Sequence, residues 1–139
     1  MAPGTRKTIL VVEDYADSRE MISLLLEDLG YRTMEAQNGE EAVEIASRQT
    51  PDLVLTDFDL PDMDGAALIK RLRRLSKMSR VPIIMFTARE RREVYDMARA
   101  AGCSAFLSKP VSFVVLEKTI TGLLGSTKEL NGSVNGVPH

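Results

Sequence analysis

The chain has 139 residues, of which 44% are hydrophobic and 27% charged, with a formal net charge of −2. One domain of the usual ~100–150 residues accounts for that length, and the near-neutral charge supplies no global basic field for nucleic acid or an anionic membrane. Cys103 is the only cysteine and the terminal His139 the only histidine, which excludes an internal disulfide, cysteine- or histidine-based metal sites and nearly every catalytic triad.

Residues 1–6 are small and polar and read as a flexible tail; the opening Met-Ala-Pro-Gly-Thr-Arg-Lys lacks the long apolar core of a secretory signal. The longest apolar runs, Ile9–Val12 and Ile83–Phe86, fall far short of the roughly 18 residues of a membrane span. A cytoplasmic location without membrane insertion is expected. Thr8–Val12 reads as the first strand, and Met21, Ile22, Leu25 and Leu29 as the apolar stripe of a helix stopped by Gly30. Arg32–Ala36 is the second strand. Asn38 and Glu41 form a capping pair ahead of Ala42, Val43, Ile45 and Ala46. Asp52–Thr56 is the third strand. Behind it, Asp62 and Asp64 read as turn and N-cap residues of the third helix, and Pro61 and Gly65 as turn residues. Leu68, Ile69, Leu72 and Leu75 repeat at helical spacing; the accompanying Lys70, Arg71, Arg73, Arg74, Lys77 and Arg80 read as a solvated face.

Val81–Phe86 is the fourth strand, and Val94, Met97, Ala98 and Ala101 before Gly102 the fourth helix. Arg89, Arg91, Arg92 and Arg99 surround that helix and suit an acidic partner surface. Cys103 reads as small buried filler. Ala105–Ser108 is the fifth strand, and a last helix from about Ser112 aligns Phe113, Leu116, Ile120, Leu123 and Leu124. Residues 125–139, rich in Gly, Asn and Ser without an apolar period, read as a flexible tail or the stump of a linker. The domain is therefore bounded at 7–124. Five strands alternating with five helices across short loops imply right-handed crossovers and a doubly wound parallel α/β sheet.

In such a sheet, ligands sit beyond the carboxyl ends of the strands, so the residues at those ends carry the chemistry. Glu13 and Asp14 follow the first strand. Asp57 follows the third, with Asp59 close behind, while Thr87 ends the fourth and Lys109-Pro110 the fifth. Glu13 and Asp14 alone would read equally well as acids near a helix terminus. Together with Asp57 they make three carboxylates on adjacent strand ends, whose repulsion a hard divalent cation relieves. Mg²⁺ suits best, because it keeps several waters and completes its shell with phosphate oxygens. An Asp can also act as nucleophile and form an aspartyl phosphate.

With these pieces in place the chain resembles the receiver domain of two-component response regulators, in its stand-alone, chemotaxis-regulator-like form, over about residues 7–124. The matching segments are Ile-Leu-Val-Val-Glu13-Asp14, Asp57-Phe-Asp-Leu-Pro61-Asp-Met63-Asp-Gly65, Phe86-Thr87-Ala88 and Phe106-Leu-Ser-Lys109-Pro110. The resemblance implies a flavodoxin-like sheet of strand order 2-1-3-4-5. It implies that Asp57 accepts a phosphoryl group from a sensor histidine kinase or a histidine phosphotransfer protein, and that small donors such as acetyl phosphate substitute for them. Asp14, Asp57 and the backbone carbonyl of Asp59 would hold Mg²⁺, with Glu13 acting directly or through a bound water. Lys109 would pair with Asp57 and then with the phosphoryl group. Thr87 would swing toward a phosphoryl oxygen and admit Phe106 inward. That motion would switch the face of the fourth helix, fifth strand and fifth helix toward a downstream protein.

The resemblance implies a signalling domain rather than an enzyme, a monomer or a weak phosphorylation-dependent homodimer, and no direct contact with nucleic acid. It also suggests a cis Lys109–Pro110 bond. Asp59 and Arg89 stand where the family tunes attack by water on the phosphoryl group, and as an ion pair they would screen the site. Ser104-Ala105 stands where receivers that dimerise ahead of winged-helix domains often carry aspartates, which weighs against that dimer. Two rival readings are a phosphorylation-independent binding module and a haloacid-dehalogenase-like phosphohydrolase. The second is disfavoured because its Asp-x-Asp motif follows a first strand, whereas Asp57 follows the third.

Overall fold

A computed structural model describes residues 6–89 and 91–125; the expected tails at 1–5 and 126–139, with His139, lie outside the described residues. In chain order the elements are β1 (Thr8–Val12), α1 (Ala16–Asp28), β2 (Arg32–Ala36), α2 (Gly39–Arg48), β3 (Leu53–Asp57), α3 (Gly65–Arg73), β4 (Ile83–Thr87), α4 (Arg92–Ala101), β5 (Ala105–Ser108) and α5 (Phe113–Leu124). A single turn of 3-10 helix, Ser76–Met78, follows α3. All strand pairs are parallel, and the sheet order is β2-β1-β3-β4-β5. This is the doubly wound, flavodoxin-like architecture implied by the sequence.

Every residue of β1, β3 and β4 is buried, because a central parallel strand is covered on both faces. Leu10, Val12, Val54, Ile83 and Met85 face one core with Leu68, Ile69, Leu72 and Ala98 of α3 and α4. Ile9, Val11, Leu53, Leu55, Ile84 and Phe86 face the other with Leu26 of α1 and Leu116 and Ile120 of α5. The edge strands β2 and β5 are only partly buried.

Several local readings are corrected. The third strand runs Leu53–Asp57, rather than Asp52–Thr56, and the fourth Ile83–Thr87, rather than Val81–Phe86. The ladder sets these ends: Asp57 pairs with Phe86 and Thr87 with Ser108, so both residues belong to the strands. Asp52 instead accepts the N–H of Thr8 through Oδ2 at 2.8 Å. On α1 the buried positions are Ser23 and Leu26, while Met21 and Leu29 are exposed. Met97, Phe113 and Leu123 are likewise exposed. Apolar periodicity reports that a face is unlike water, without saying whether that face meets the core or an open cavity. Asn38 caps α2 by accepting the Glu41 N–H (2.8 Å), as expected, but the Glu41 carboxylate accepts the N–H of Gln37 (2.8 Å) rather than returning a bond to Asn38.

Gly102 ends α4 in the left-handed region, φ 109°, which a side chain rarely adopts. Gly65 is required for another reason. A Cβ there would lie 2.7 Å from Met85 Cε and 3.1 Å from the carbonyl oxygen of Asp57, so α3 starts directly against the strand end it follows.

Candidate functional site

The parallel topology brings the carboxyl ends of β1, β3, β4 and β5 to one edge, and with them Glu13, Asp14, Asp57, Thr87 and Lys109. Glu13 is held from both sides: its N–H donates to the Ala36 carbonyl at 3.0 Å, and its own carbonyl accepts from Arg19 Nη1 at 2.9 Å. Its carboxylate is buried and accepts the N–H of Tyr15 at 3.2 Å. Asp14 is exposed, whereas Asp57 is buried. One carboxylate oxygen from each of the three lies within 4.8 Å of the others. At that spacing the buried pair Glu13 and Asp57 repels by about 3 kcal/mol at an effective dielectric of ~20, and solvent screens the exposed Asp14 to a smaller share.

Lys109 relieves part of this repulsion. Its Nζ donates to Asp57 Oδ2 at 2.9 Å and to Glu13 Oε1 at 3.2 Å, and lies 4.9 Å from the centre of the Phe86 ring. Burial disfavours the lysine's charge, but the bond to Asp57 and the charges of Asp57 and Glu13 prevail and raise its pKa above the ordinary value. Burial, followed by the neighbouring charge of Asp57, pushes the Glu13 carboxyl up, against partial relief from Lys109. One ammonium against three carboxylates leaves negative charge in excess. The donors are all hard oxygens, and Asp14 keeps one side open to solvent. This set suits a small divalent cation that retains waters, as Mg²⁺ does.

Asp59 and Arg89 meet at the rim. Arg89 Nε donates to both carboxylate oxygens of Asp59, at 2.9 and 3.0 Å, with both side chains about half exposed. The Asp59 N–H donates to Asp57 Oδ1 at 3.2 Å. Thr87 is fully buried, and its hydroxyl accepts the N–H of Arg89 at 3.0 Å. Phe106 is half-buried on β5 and meets Tyr95 of α4 edge-on, with ring centres 5.1 Å apart. The guanidinium of Arg99 covers the same Tyr95 at 5.2 Å. The Lys109–Pro110 bond is cis.

Two assignments change. Asp64 caps α3 through the Ala67 N–H at 2.8 Å, as expected, but Asp62 does not serve that helix. Its carboxylate accepts Gly39 N–H at 2.8 Å and Glu40 N–H at 2.9 Å, tying the loop after Asp57 to the start of α2. Burial opposes its charge, yet these two donors, its own N–H and Arg71 hold its pKa below the ordinary value. Arg73 does not belong to a solvated face. It donates to the carbonyls of Met78 (2.6 Å), Val81 (2.7 Å) and Gly102 (2.9 Å), joining α3 to the segments before β4 and β5. Arg71 pairs with Glu40 of α2. Cys103 is half-buried against the core, and burial raises its thiol pKa. Sequence reading missed Arg19, Tyr95 and the clamps of Asp62 and Arg73, because each depends on partners brought near only by the fold.

Comparison with known proteins agrees with this geometry. Residues 9–121 match the response regulator receiver domain family. The polar-differentiation response regulator DivK of Brucella anthropi is 34% identical over 119 residues, covering 86% of this chain and 97% of that one. The chemotaxis protein CheY4 of Vibrio cholerae superposes with a TM-score of 0.83 at 31% identity, over 86% of this chain and 100% of that one. The receiver domain of the sensor histidine kinase PA1611 of Pseudomonas aeruginosa, solved with a magnesium ion coordinated in its active-site cleft, superposes with a TM-score of 0.81 at 33% identity, over 88% of this chain and 100% of that one. Among the described residues, no helix is long and apolar enough to cross a membrane.

Proposed function

Because the chain belongs to the receiver-domain family of response regulators, we propose that it is a signalling module switched by phosphorylation of Asp57. The observation that carries this reading is the convergence of Glu13, Asp14 and Asp57 oxygens within 4.8 Å, with Lys109 bridging two of them. Asp14, Asp57 and the backbone carbonyl of Asp59 would hold Mg²⁺, and Glu13 would join them directly or through a water. Bound there, the cation supplies charge neutralisation at the phosphoryl oxygens.

Asp57 attacks the phosphorus of a phosphohistidine on a sensor kinase or phosphotransfer protein. The P–N bond breaks, the imidazole takes the electron pair, and an aspartyl phosphate forms. Lys109, already held above its ordinary pKa, stays charged at neutral pH and passes from the carboxylate to the phosphoryl group. Thr87 turns its hydroxyl to a phosphoryl oxygen and gives up the N–H of Arg89, its acceptor bond in the unmodified protein. The space it leaves admits Phe106, which then parts from Tyr95. Through that contact a change at the phosphoryl group reaches α4, and the α4–β5–α5 face presents a different surface to its downstream protein.

Intact-protein mass after acetyl phosphate treatment tests this reading. A gain of one phosphoryl group that requires Mg²⁺ and is absent in Asp57→Asn is expected. Absence of the gain, together with failure to bind beryllofluoride, would leave a binding module that works without phosphorylation.

A further inference from the structure

Between β3 and α3 the chain folds back on itself, with Asp59 and Asp64 facing each other in an isolated antiparallel bridge. The Gly65 N–H donates to the Phe58 carbonyl at 2.6 Å, so bonding runs between the residues that flank the bridge. Asp59 spends its own N–H on Asp57 Oδ1, at 3.2 Å, and its carbonyl is not used by the bridge. That carbonyl is the one read above as a ligand of Mg²⁺. Of the cation's expected protein ligands it is the least anchored. Asp57 ends a buried strand, whereas Asp59 lies two residues beyond it in a loop.

The tip of this loop is tied to a different helix. Asp62 Oδ1 accepts the Gly39 N–H at 2.8 Å and its Oδ2 the Glu40 N–H at 2.9 Å, so one carboxylate closes the first two donors of α2. Next to it, Met63 packs so near Gly39 that a Cβ there would fall within 2.7 Å of Met63 Sδ, Cγ and Cε. Arg71 of α3 pairs with Glu40 across the same junction. The N-cap of α2 itself, Asn38, reaches only the Glu41 N–H. Asp62 thus holds a loop as well as a helix end.

We propose that Asp62 is a positioning residue of the cation site: by clamping the loop to α2 it fixes the Asp59 carbonyl, and it thereby couples cation binding to the start of α2. This rests on the reading of that carbonyl as a ligand. Mg²⁺ demands near-ideal octahedral geometry at about 2.0–2.1 Å, which a carbonyl on a loose loop does not keep. Asp62 itself is exposed, so water and salt screen its charge from the site and its effect travels through the clamp. Coupling of this kind is reciprocal: whatever the clamp adds to cation affinity, the cation returns to the clamp.

Calorimetric titration of the unphosphorylated protein with Mg²⁺, together with amide hydrogen exchange, tests the coupling. Asp62→Ala is expected to raise the Mg²⁺ Kd about tenfold, the low end of what groups orienting metal ligands contribute. Asp62→Asn, which keeps one acceptor oxygen, recovers part of that loss. Two controls leave Kd within about twofold of wild type. Asn38→Ala removes the other cap of α2 but not the clamp, and Glu40→Gln removes a neighbouring charge while its N–H stays. By reciprocity, saturating Mg²⁺ slows exchange of the Gly39 and Glu40 amides about tenfold in wild type. The Val115 amide, capped by Ser112 at the start of α5, serves as the reference that does not change. An Asp62→Ala Kd equal to wild type, or a loss matched by either control, overturns the proposal. Should Asp62→Ala not fold, exchange in wild type decides alone, and unchanged Gly39 and Glu40 amides overturn the coupling. Wild type that binds no Mg²⁺ at all overturns the cation-site reading itself, and the coupling with it.

Discussion

Both ends of the sheet are rich in polar side chains, and they use them in opposite ways. At the end where the strands begin, polar groups terminate on backbone. Asp52 accepts from Thr8 N–H, Ser104 Oγ accepts from Ile83 N–H at 3.0 Å, and Arg73 meets three carbonyls. At the end where the strands finish, Glu13, Asp14 and Asp57 face one another, with a single ammonium between two of them. A polar group closed on the backbone stabilises the fold and has nothing left to offer a ligand. Charges set against like charges weaken the fold and wait for a cation. Scaffold and site differ here in what their polar groups point at, rather than in residue type.

The contrast is sharpest in paired substitutions. Asp14→Asn should cut Mg²⁺-dependent phosphorylation at least a hundredfold, since even groups that merely support a metal ligand are worth about 10–100-fold. The same change should raise Mg²⁺-free stability by about 1 kcal/mol, by removing one of three mutually repelling charges. Phosphorylation assays and thermal melts of one preparation check both signs. Arg73→Ala should do the reverse. Three carbonyls lose a charged donor, which costs about 2–3 kcal/mol, roughly 8–12 °C in Tm, while the phosphorylation rate at a temperature where the variant is folded stays within twofold of wild type.

A smaller effect belongs to Asp62, whose folded-state pKa is lowered. Its stabilisation is present above the unfolded carboxylate pKa of about 3.9 and is lost as pH falls through the depressed folded value. Asp62→Ala should therefore cost about 1 kcal/mol near pH 6, in line with loss of a helix cap. The gap from wild type should narrow in denaturant melts below about pH 4. Smallest in stability is the rim pair. Asp59→Ala or Arg89→Ala should shift stability by no more than about 0.5 kcal/mol, because both side chains are half exposed. Each should shorten the life of the phosphorylated state, and the double variant should match the singles if the two act as a pair. Unchanged dephosphorylation rates would remove the screening role.

The two ends were not equally legible in the sequence. The carboxyl-end cluster follows from chain order, because alternating strands and helices deliver every strand terminus to one edge, and the residues there are of the types that phosphoryl and metal chemistry use. Strands β1, β3 and β4 were visible because they are apolar on both faces. Their ends were not, since cross-strand pairing rather than composition fixes where Asp57 and Thr87 fall. The opposite end was almost opaque. Nothing local to Arg73 distinguishes it from Arg74, yet one clamps Gly102, 29 residues on, and the other is exposed. Asp62 looked like a turn residue because its partners lie on another helix. Met21 and Phe113 belong to the apolar stripes read from the sequence yet are exposed, because periodicity does not distinguish a core-facing position from an open one.

The most direct test of the account is thermal unfolding with and without Mg²⁺ for wild type, Asp14→Asn and Arg73→Ala. With the cation at about a hundredfold excess over its Kd, a folded-state site adds about 2.7 kcal/mol. The account predicts that increment in wild type and undiminished in Arg73→Ala, despite the lower starting Tm, and its loss in Asp14→Asn, despite the higher one. An equal Mg²⁺ response in all three, or none in wild type, would contradict the assignment of the carboxyl-end carboxylates as a cation site.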